Sequence, residues 1–285
     1  MSVKVSVIMS VYNPHPFSHL EKAVESIRDQ TWKDWELLIY NDGSDAEYGK
    51  KIRELAEGDP RIRYLEGRIN RGIAFGLNQC IRAAEGEFIA RMDGDDVSLP
   101  ERLERQIGFL ERHPEYDYAG CSAFLISGEG MWGRRRMPER PEKEDFLLYS
   151  PFIHPSVVFR REVFEKYGNY SQSRQTLRCE DYELFMRLYI SGSYGYNLQK
   201  ELFCYREDRD SFRKRKLRFR IDETRLRARW FGRLGLGGIK GRLYRYRPLA
   251  GGVIPAALGS RIKRYQAAEK GRKDGTDRSD ISGYN

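Results

Sequence analysis

Apolar and polar positions alternate along the first third of the chain in a repeating way. Val3, Val5, Val7, Ile8 and Val11 form an apolar run with few polar interruptions, which reads as a buried strand and breaks at Tyr12-Asn13-Pro14. Ser18 to Glu21 has the spacing of a capping box, and Leu20, Ala23, Val24 and Ile27 follow at helical intervals. Trp35 to Tyr40 is a second buried strand, ending in Asn41-Asp42-Gly43-Ser44. A helix from Asp45 to Glu57 comes next, stopped by Gly58-Asp59-Pro60. Ile62 to Leu65 is a shorter strand. Ile73, Leu77, Cys80, Ile81 and Ala84 then mark a helix that Gly86 closes. Phe88 opens one more apolar run, which stops at Asp93-Gly94-Asp95-Asp96. This alternation predicts an α/β fold with a mostly parallel sheet covered by helices. In such sheets ligands bind beyond the carboxyl ends of the strands. The clusters Tyr12-Asn13, Asn41-Asp42 and Asp93 to Asp96 all fall there.

Past Asp96 the pattern is less regular. A helix is expected to start around Ser98 to Glu101 and to run through Leu103, Ile107 and Leu110. Tyr118 to Phe124 reads as a strand, and Gly128 to Arg136 as a glycine- and arginine-rich loop, either a flap over a cleft or an exposed turn. Glu142 to Tyr149 reads as a short helix and Pro155 to Arg160 as a strand. Asp181 to Tyr189 reads as a helix burying Leu184, Phe185 and Leu188, and Phe212 to Trp230 as a long one.

The crowded carboxylates of Asp93, Asp95 and Asp96 repel one another unless something positive lies between them. Hard oxygen donors suit Mg²⁺ or Mn²⁺, ions usually held by one or two carboxylates together with substrate phosphates. A solvated acidic turn is the plain alternative. Neither a glycine-rich dinucleotide fingerprint nor a Walker-type loop is present. The net charge of +9 favours an anionic partner. The four cysteines stand apart, without CxxC spacing, so they read as reduced packing residues and not as a zinc site. The first residues lack the apolar core of a signal peptide, and no apolar run reaches the roughly 20 residues a bilayer span needs. A cytoplasmic protein is expected.

Taken in order, these segments resemble the inverting glycosyltransferases of family 2, which have the GT-A fold. The resemblance is strongest to members that assemble bacterial exopolysaccharide and biofilm matrix. Val5 to Asn13 is similar to the family's first strand and nucleotide loop, and Gln30 to Ser44 to its second. Asn70-Arg71-Gly72 through Asn78 is similar to the segment before the metal motif, and Asp93-Gly94-Asp95 to the DxD motif itself. Phe152 to Val157 resembles a segment bordering the acceptor cleft, and Cys179-Glu180-Asp181-Tyr182 the motif carrying the catalytic base. The resemblance implies a nucleotide-sugar donor, UDP-linked by default, held by Val11, Tyr12, Asn13, Asp42, Asn70, Gly72, Arg91, Asp93, Gly94 and Asp95. Asp42 is expected to face the base and Asp93 the ribose. A Mn²⁺ or Mg²⁺ ion is expected on Asp95, with Asp93 as a further contact, and Asp96 is expected to fix the turn through local hydrogen bonds.

Asp181 is the implied base and Glu180 its competitor or partner, although Asp181 also stands where a helix N-cap would. His154 borders the acceptor site or serves as a hydrogen-bonded structural histidine. Arg91 pairs with the carboxylates, with the diphosphate, or within the turn. Relatives often carry a histidine soon after the Tyr-Arg that closes the catalytic domain. Here Tyr205-Arg206 runs into Glu207-Asp208, which leaves a third metal contact open.

The implied organisation is a GT-A catalytic domain over 1–206, with a nucleotide-sugar half to about residue 97 and an acceptor half from 98. A basic helical extension over 207–270 and a disordered tail over 271–285 follow. Between Glu201 and Lys273 there are 22 Lys and Arg against 7 Asp and Glu. Trp230-Phe231, Leu234, Leu236, Ile239 and Leu249 to Leu258 are interleaved with these basic residues. This region fits peripheral contact with an anionic membrane surface bearing polyprenyl-diphosphate-linked acceptors, docking to an assembly-complex partner, or a solvated helical bundle. Nucleic acid is not expected, because no stacking platform or recognisable module accompanies the charge. A nucleotidyltransferase would present a glycine-rich basic loop where Tyr12 to Pro16 stands. A non-catalytic binding protein on the same scaffold is the remaining alternative.

Overall fold

A computed structural model describes residues 4–207 and 216–250. Strand and helix alternate through the first part: β1 (Val5–Val11), α1 (Phe17–Arg28), β2 (Trp35–Asp42), α2 (Ala46–Glu57), β3 (Ile62–Gly67), α3 (Ile73–Ala83) and β4 (Phe88–Arg91). The second part holds β5 (Val97–Ser98), α4 (Arg102–Arg112), β6 (Tyr118–Ser127), β7 (Gly130–Arg135), β8 (Val158–Arg160), α5 (Glu162–Tyr167), α6 (Glu180–Ile190) and β9 (Gly195–Arg206). Three C-terminal helices follow, α7 (Leu217–Arg233), α8 (Ile239–Tyr244) and α9 (Arg247–Ala250).

The strands form one mixed sheet in the order β3-β2-β1-β4-β8-β6-β9-β5, with β7 paired to β6. The first four are parallel, so β1, β2, β3 and β4 all end on the same edge. Direction reverses at β8, antiparallel to both β4 and β6, and β9 then runs parallel to β6. β1, β2 and β4 are buried almost throughout, as both-face coverage by helices requires. One apolar cluster packs α1, α2 and α4 against one face. The other packs α3 and α6 with Leu226, Trp230 and Phe231 of α7.

Several expectations are corrected. No capping box forms at Ser18: α1 begins at Phe17 after Pro16, without a side-chain cap. Gly128 to Arg136 is not a flap or a free loop, because Gly130 to Arg135 is a strand on β6. Its arginines meet acids of β9 and just beyond, Arg134 with Glu201 at 3.6 Å and Arg135 with Glu207 at 2.5 Å. Val97 and Ser98 pair with β9 instead of opening a helix, so α4 starts at Arg102. β9 is the longest strand, 12 residues, and had no counterpart in the sequence reading. Trp230, Phe231, Leu234 and Leu236 are core residues rather than a surface offered to a partner. The expected tail over 271–285 and the apolar stretch 251–258 lie outside the described residues.

Candidate active site

The DGDD turn is set by what surrounds Gly94. A Cβ there would lie 2.8 Å from Val11 Cγ1 and 3.3 Å from Leu20 Cδ1, so only glycine lets the turn rest on the end of β1. The neighbouring loops are knitted by side chains. Asn13 Nδ2 donates to Asp45 Oδ2 at 3.0 Å, Asp45 N donates to Asn13 Oδ1 at 2.8 Å, and Asn13 N donates to Ser44 Oγ at 2.9 Å. Asp42 is buried at the end of β2 and receives Arg71 N at 3.0 Å and Gly72 N at 2.7 Å. It thereby fixes the segment entering α3. Burial raises its pKa, and those two backbone bonds oppose the rise. Tyr12 and Asn70 stand exposed at the rim.

Asp93, Asp95 and Asp96 each offer one oxygen, and these oxygens lie within 4.8 Å of one another. Arg91 is buried beneath them, with Nη1 2.5 Å from Asp93 Oδ1. Asp95 is exposed on one side, yet its carboxyl is pushed up to about 6, first by burial and then by Asp93. Asp96 is fully enclosed and shifted well upward by burial, then by Asp95 and Asp93. The local bonds expected of it from sequence are replaced by a long-range one: Oδ1 accepts from Arg206 N at 2.6 Å, at the end of β9, the strand paired with β5. Arg206 Nε also donates to Asp95 O at 2.8 Å. Three hard oxygens this close, with two of the carboxyls raised in pKa, fit a divalent cation. Asp93 and Asp95 are the pair with solvent access.

Glu180 and Asp181 open α6 opposite this turn, and both are half-buried. The Glu180 carboxyl is pushed up to about 7 by burial and then by Asp181, while Arg91 acts in the opposite sense. Tyr170 is buried near both groups: its hydroxyl lies 2.8 Å from His154 Nε2 and feels Arg91, Asp181, Glu180 and Asp93. His154 is buried, and burial, then Arg91, hold it well below the ordinary histidine range, so it is neutral and supports Tyr170. Asn78 clamps Tyr170 through both backbone groups, at 2.9 and 3.0 Å. A recess of about 40 Å³ lies between Arg71, Gly72, Phe75, Thr176, Leu177 and Glu180. It has room for a few waters or a small substituent and not for a pyranose ring.

The structure therefore brings the β4 turn and the start of α6 together around Arg91 and Tyr170, and places the Asp42-held loop on a recess shared with Glu180. Tyr170 and Arg206 were not singled out in the sequence. Tyr170 sits in an irregular loop with no periodicity to flag it, whereas the Tyr205-Arg206 pair was visible but was read only as the end of a domain.

The sequence profile of glycosyl transferase family 2 matches residues 6–168. The chain belongs to this family. Among family 2 relatives, EpsE of Bacillus subtilis (strain 168), named a glycosyltransferase, is 36% identical over 262 residues, covering 92% of this chain and 93% of EpsE. The amylovoran biosynthesis glycosyltransferase AmsE of Erwinia amylovora is 30% identical, covering 74% of this chain and 79% of AmsE. Among solved structures, S. aureus TarS 1–349 in complex with UDP-GlcNAc superposes with a TM-score of 0.63 at 17% identity, over 79% of this chain and 66% of that one. The mannosyltransferase PcManGT from Pyrobaculum calidifontis, in complex with GDP-Man and Mn²⁺, gives 0.59 at 18% identity, over 96% and 83%. These likenesses establish the GT-A fold.

Proposed function

We propose that the chain transfers a hexosyl or N-acetylhexosaminyl group, with inversion, from a UDP-sugar to a hydroxyl of a saccharide or polyprenyl-diphosphate-linked acceptor in exopolysaccharide synthesis. The observation that carries this reading is the convergence on one cleft. Arg91 joins Asp93 to the field of Glu180, and the recess beside Glu180 is walled by the loop that Asp42 holds.

Val11, Tyr12, Asn13, Asn70 and Gly72 form the rim on which the nucleoside lies. Asp42 shapes that rim through Arg71 and Gly72 and faces the base from beneath. Asp93 accepts from the ribose hydroxyls. Asp95 and Asp93 are the residues that would hold Mn²⁺ or Mg²⁺, which when bound supplies Lewis-acid stabilisation to the departing diphosphate. Arg91 balances the acidic turn from below. Asp181 removes the proton from the acceptor hydroxyl, and Glu180, near half-ionised at neutral pH, orients that hydroxyl or shares the proton. Tyr170 and His154 keep the inner wall neutral and dry.

The test is a panel of UDP-, dTDP- and GDP-sugars in thermal shift with and without Mn²⁺, followed by NMR of the product anomer. One donor should raise the melting temperature with occupancy, only when the ion is present, and the product anomer should be inverted. A retained anomer, or no donor response across the panel, would overturn the proposal.

A further inference from the structure

The C-terminal helices leave one apolar pair facing water amid positive charge. Ile239 and Leu243 are four residues apart on α8, so they share a face, and they are 88% and 70% exposed. Trp230, Phe231, Leu234 and Leu236, which alternate with arginines in the same stretch, are buried in the core, so this pair is left over after folding. Lys240 and Arg242 are exposed on the same helix, and Tyr246 is half exposed beyond it. From Thr224 to Ala268 the sequence has 11 Lys and Arg and no Asp or Glu. A protein-facing surface usually mixes charge signs. An apolar pair flanked on its own helix by Lys240 and Arg242, with an aromatic just beyond, matches the boundary between anionic headgroups and acyl chains.

We infer that α8 is a docking face for an anionic lipid bilayer, with Ile239 and Leu243 entering the acyl boundary and Lys240 and Arg242 meeting the headgroups. α7 leads from this face back to the active site. Arg229 Nη2, on its last turns, donates to Gln175 Oε1 at 2.9 Å, in the loop that borders the recess beside Glu180. Through this contact α7, which leads into α8, touches one wall of the recess, and on the proposed function a lipid-linked acceptor would share the membrane with α8.

The test is co-sedimentation of the full-length protein with phosphatidylcholine vesicles, with and without phosphatidylglycerol, at low and high salt. Binding is expected to the anionic vesicles alone and to weaken with salt. Ile239→Ser/Leu243→Ser should weaken it by about tenfold. Lys240→Glu/Arg242→Glu should weaken it at least as much, and reads the same face if the serine variant is poorly folded. Donor-induced thermal shift should be the same in all these variants, which keeps this inference separate from the catalytic one. Binding to neither vesicle, equal binding to both, undiminished binding by both double variants, or tighter binding to an RNA oligonucleotide than to anionic vesicles would overturn it.

Discussion

Replacing Glu180 by glutamine tests the electrostatics of the cleft directly. The carboxyl ordinarily ionises near 4.5 and here near 7, because of burial and then Asp181. Between these values the folded protein binds a proton that the unfolded chain does not. The group's stabilising contribution is therefore complete below about pH 4.5 and is lost as pH rises through about 7. Taken whole, the gap corresponds to an upper bound of about 3 kcal/mol. Solvent reaches one side of the carboxyl and the charge is shared with Asp181, so about 1–2 kcal/mol is the realistic size. Glutamine mimics the protonated acid at every pH. Glu180→Gln should thus melt with the wild type near pH 4 and roughly 2–4 °C above it near pH 8.5. The acid limb of kcat/KM should also move to lower pH, since the shared charge is gone. Melting curves offset equally at both pH values would show that Glu180 is not held proton-rich, and the reasoning would fail.

Asp181→Asn should abolish turnover while donor-induced thermal shift survives, and residual turnover near the wild-type rate would reassign the base. In Asp95→Ala, the difference between donor titrations with and without Mn²⁺ should vanish, and a titration still responsive to the ion would place the metal elsewhere. Arg227 is buried in α7, donating to Glu223 at 2.9 Å and to Leu147 O at 2.8 Å beneath the ring of Tyr182. Arg227→Ala should cost about 3–5 kcal/mol in urea unfolding, because it removes the cation facing a buried carboxylate. A loss under about 1 kcal/mol would show that α7 is only loosely attached.

The first half was legible because its physics is local. β1, β2 and β4 are apolar runs with few interruptions, covered on both faces, and each ends in a polar cluster on the sheet's carboxyl edge. The second half was less so. β9 carries Gln199, Lys200 and Glu201 at its centre, where its register with β6 shifts, so no alternation survives to mark a strand. β7 reads as a loop because its arginines look solvated, and only the fold brings Glu201 and Glu207 to them. Arg227 failed for the same reason: an arginine on a basic helix gives no sign in sequence that it is core. Among the site residues, Asp93, Asp95, Glu180 and Asp181 were visible as residue types at suitable positions. The wall behind them, made by Tyr170 with His154, depends on contacts between distant segments.

The tie between Asp96 and the end of β9 uses the backbone N–H of Arg206 and not its guanidinium. Substitution at that position therefore removes the side-chain bond to Asp95 O but leaves the backbone bond to Asp96 in place. One residue thus holds the turn twice, and only the side-chain hold on Asp95 O is open to substitution, while the backbone clasp on Asp96 stays whatever residue other than proline stands there.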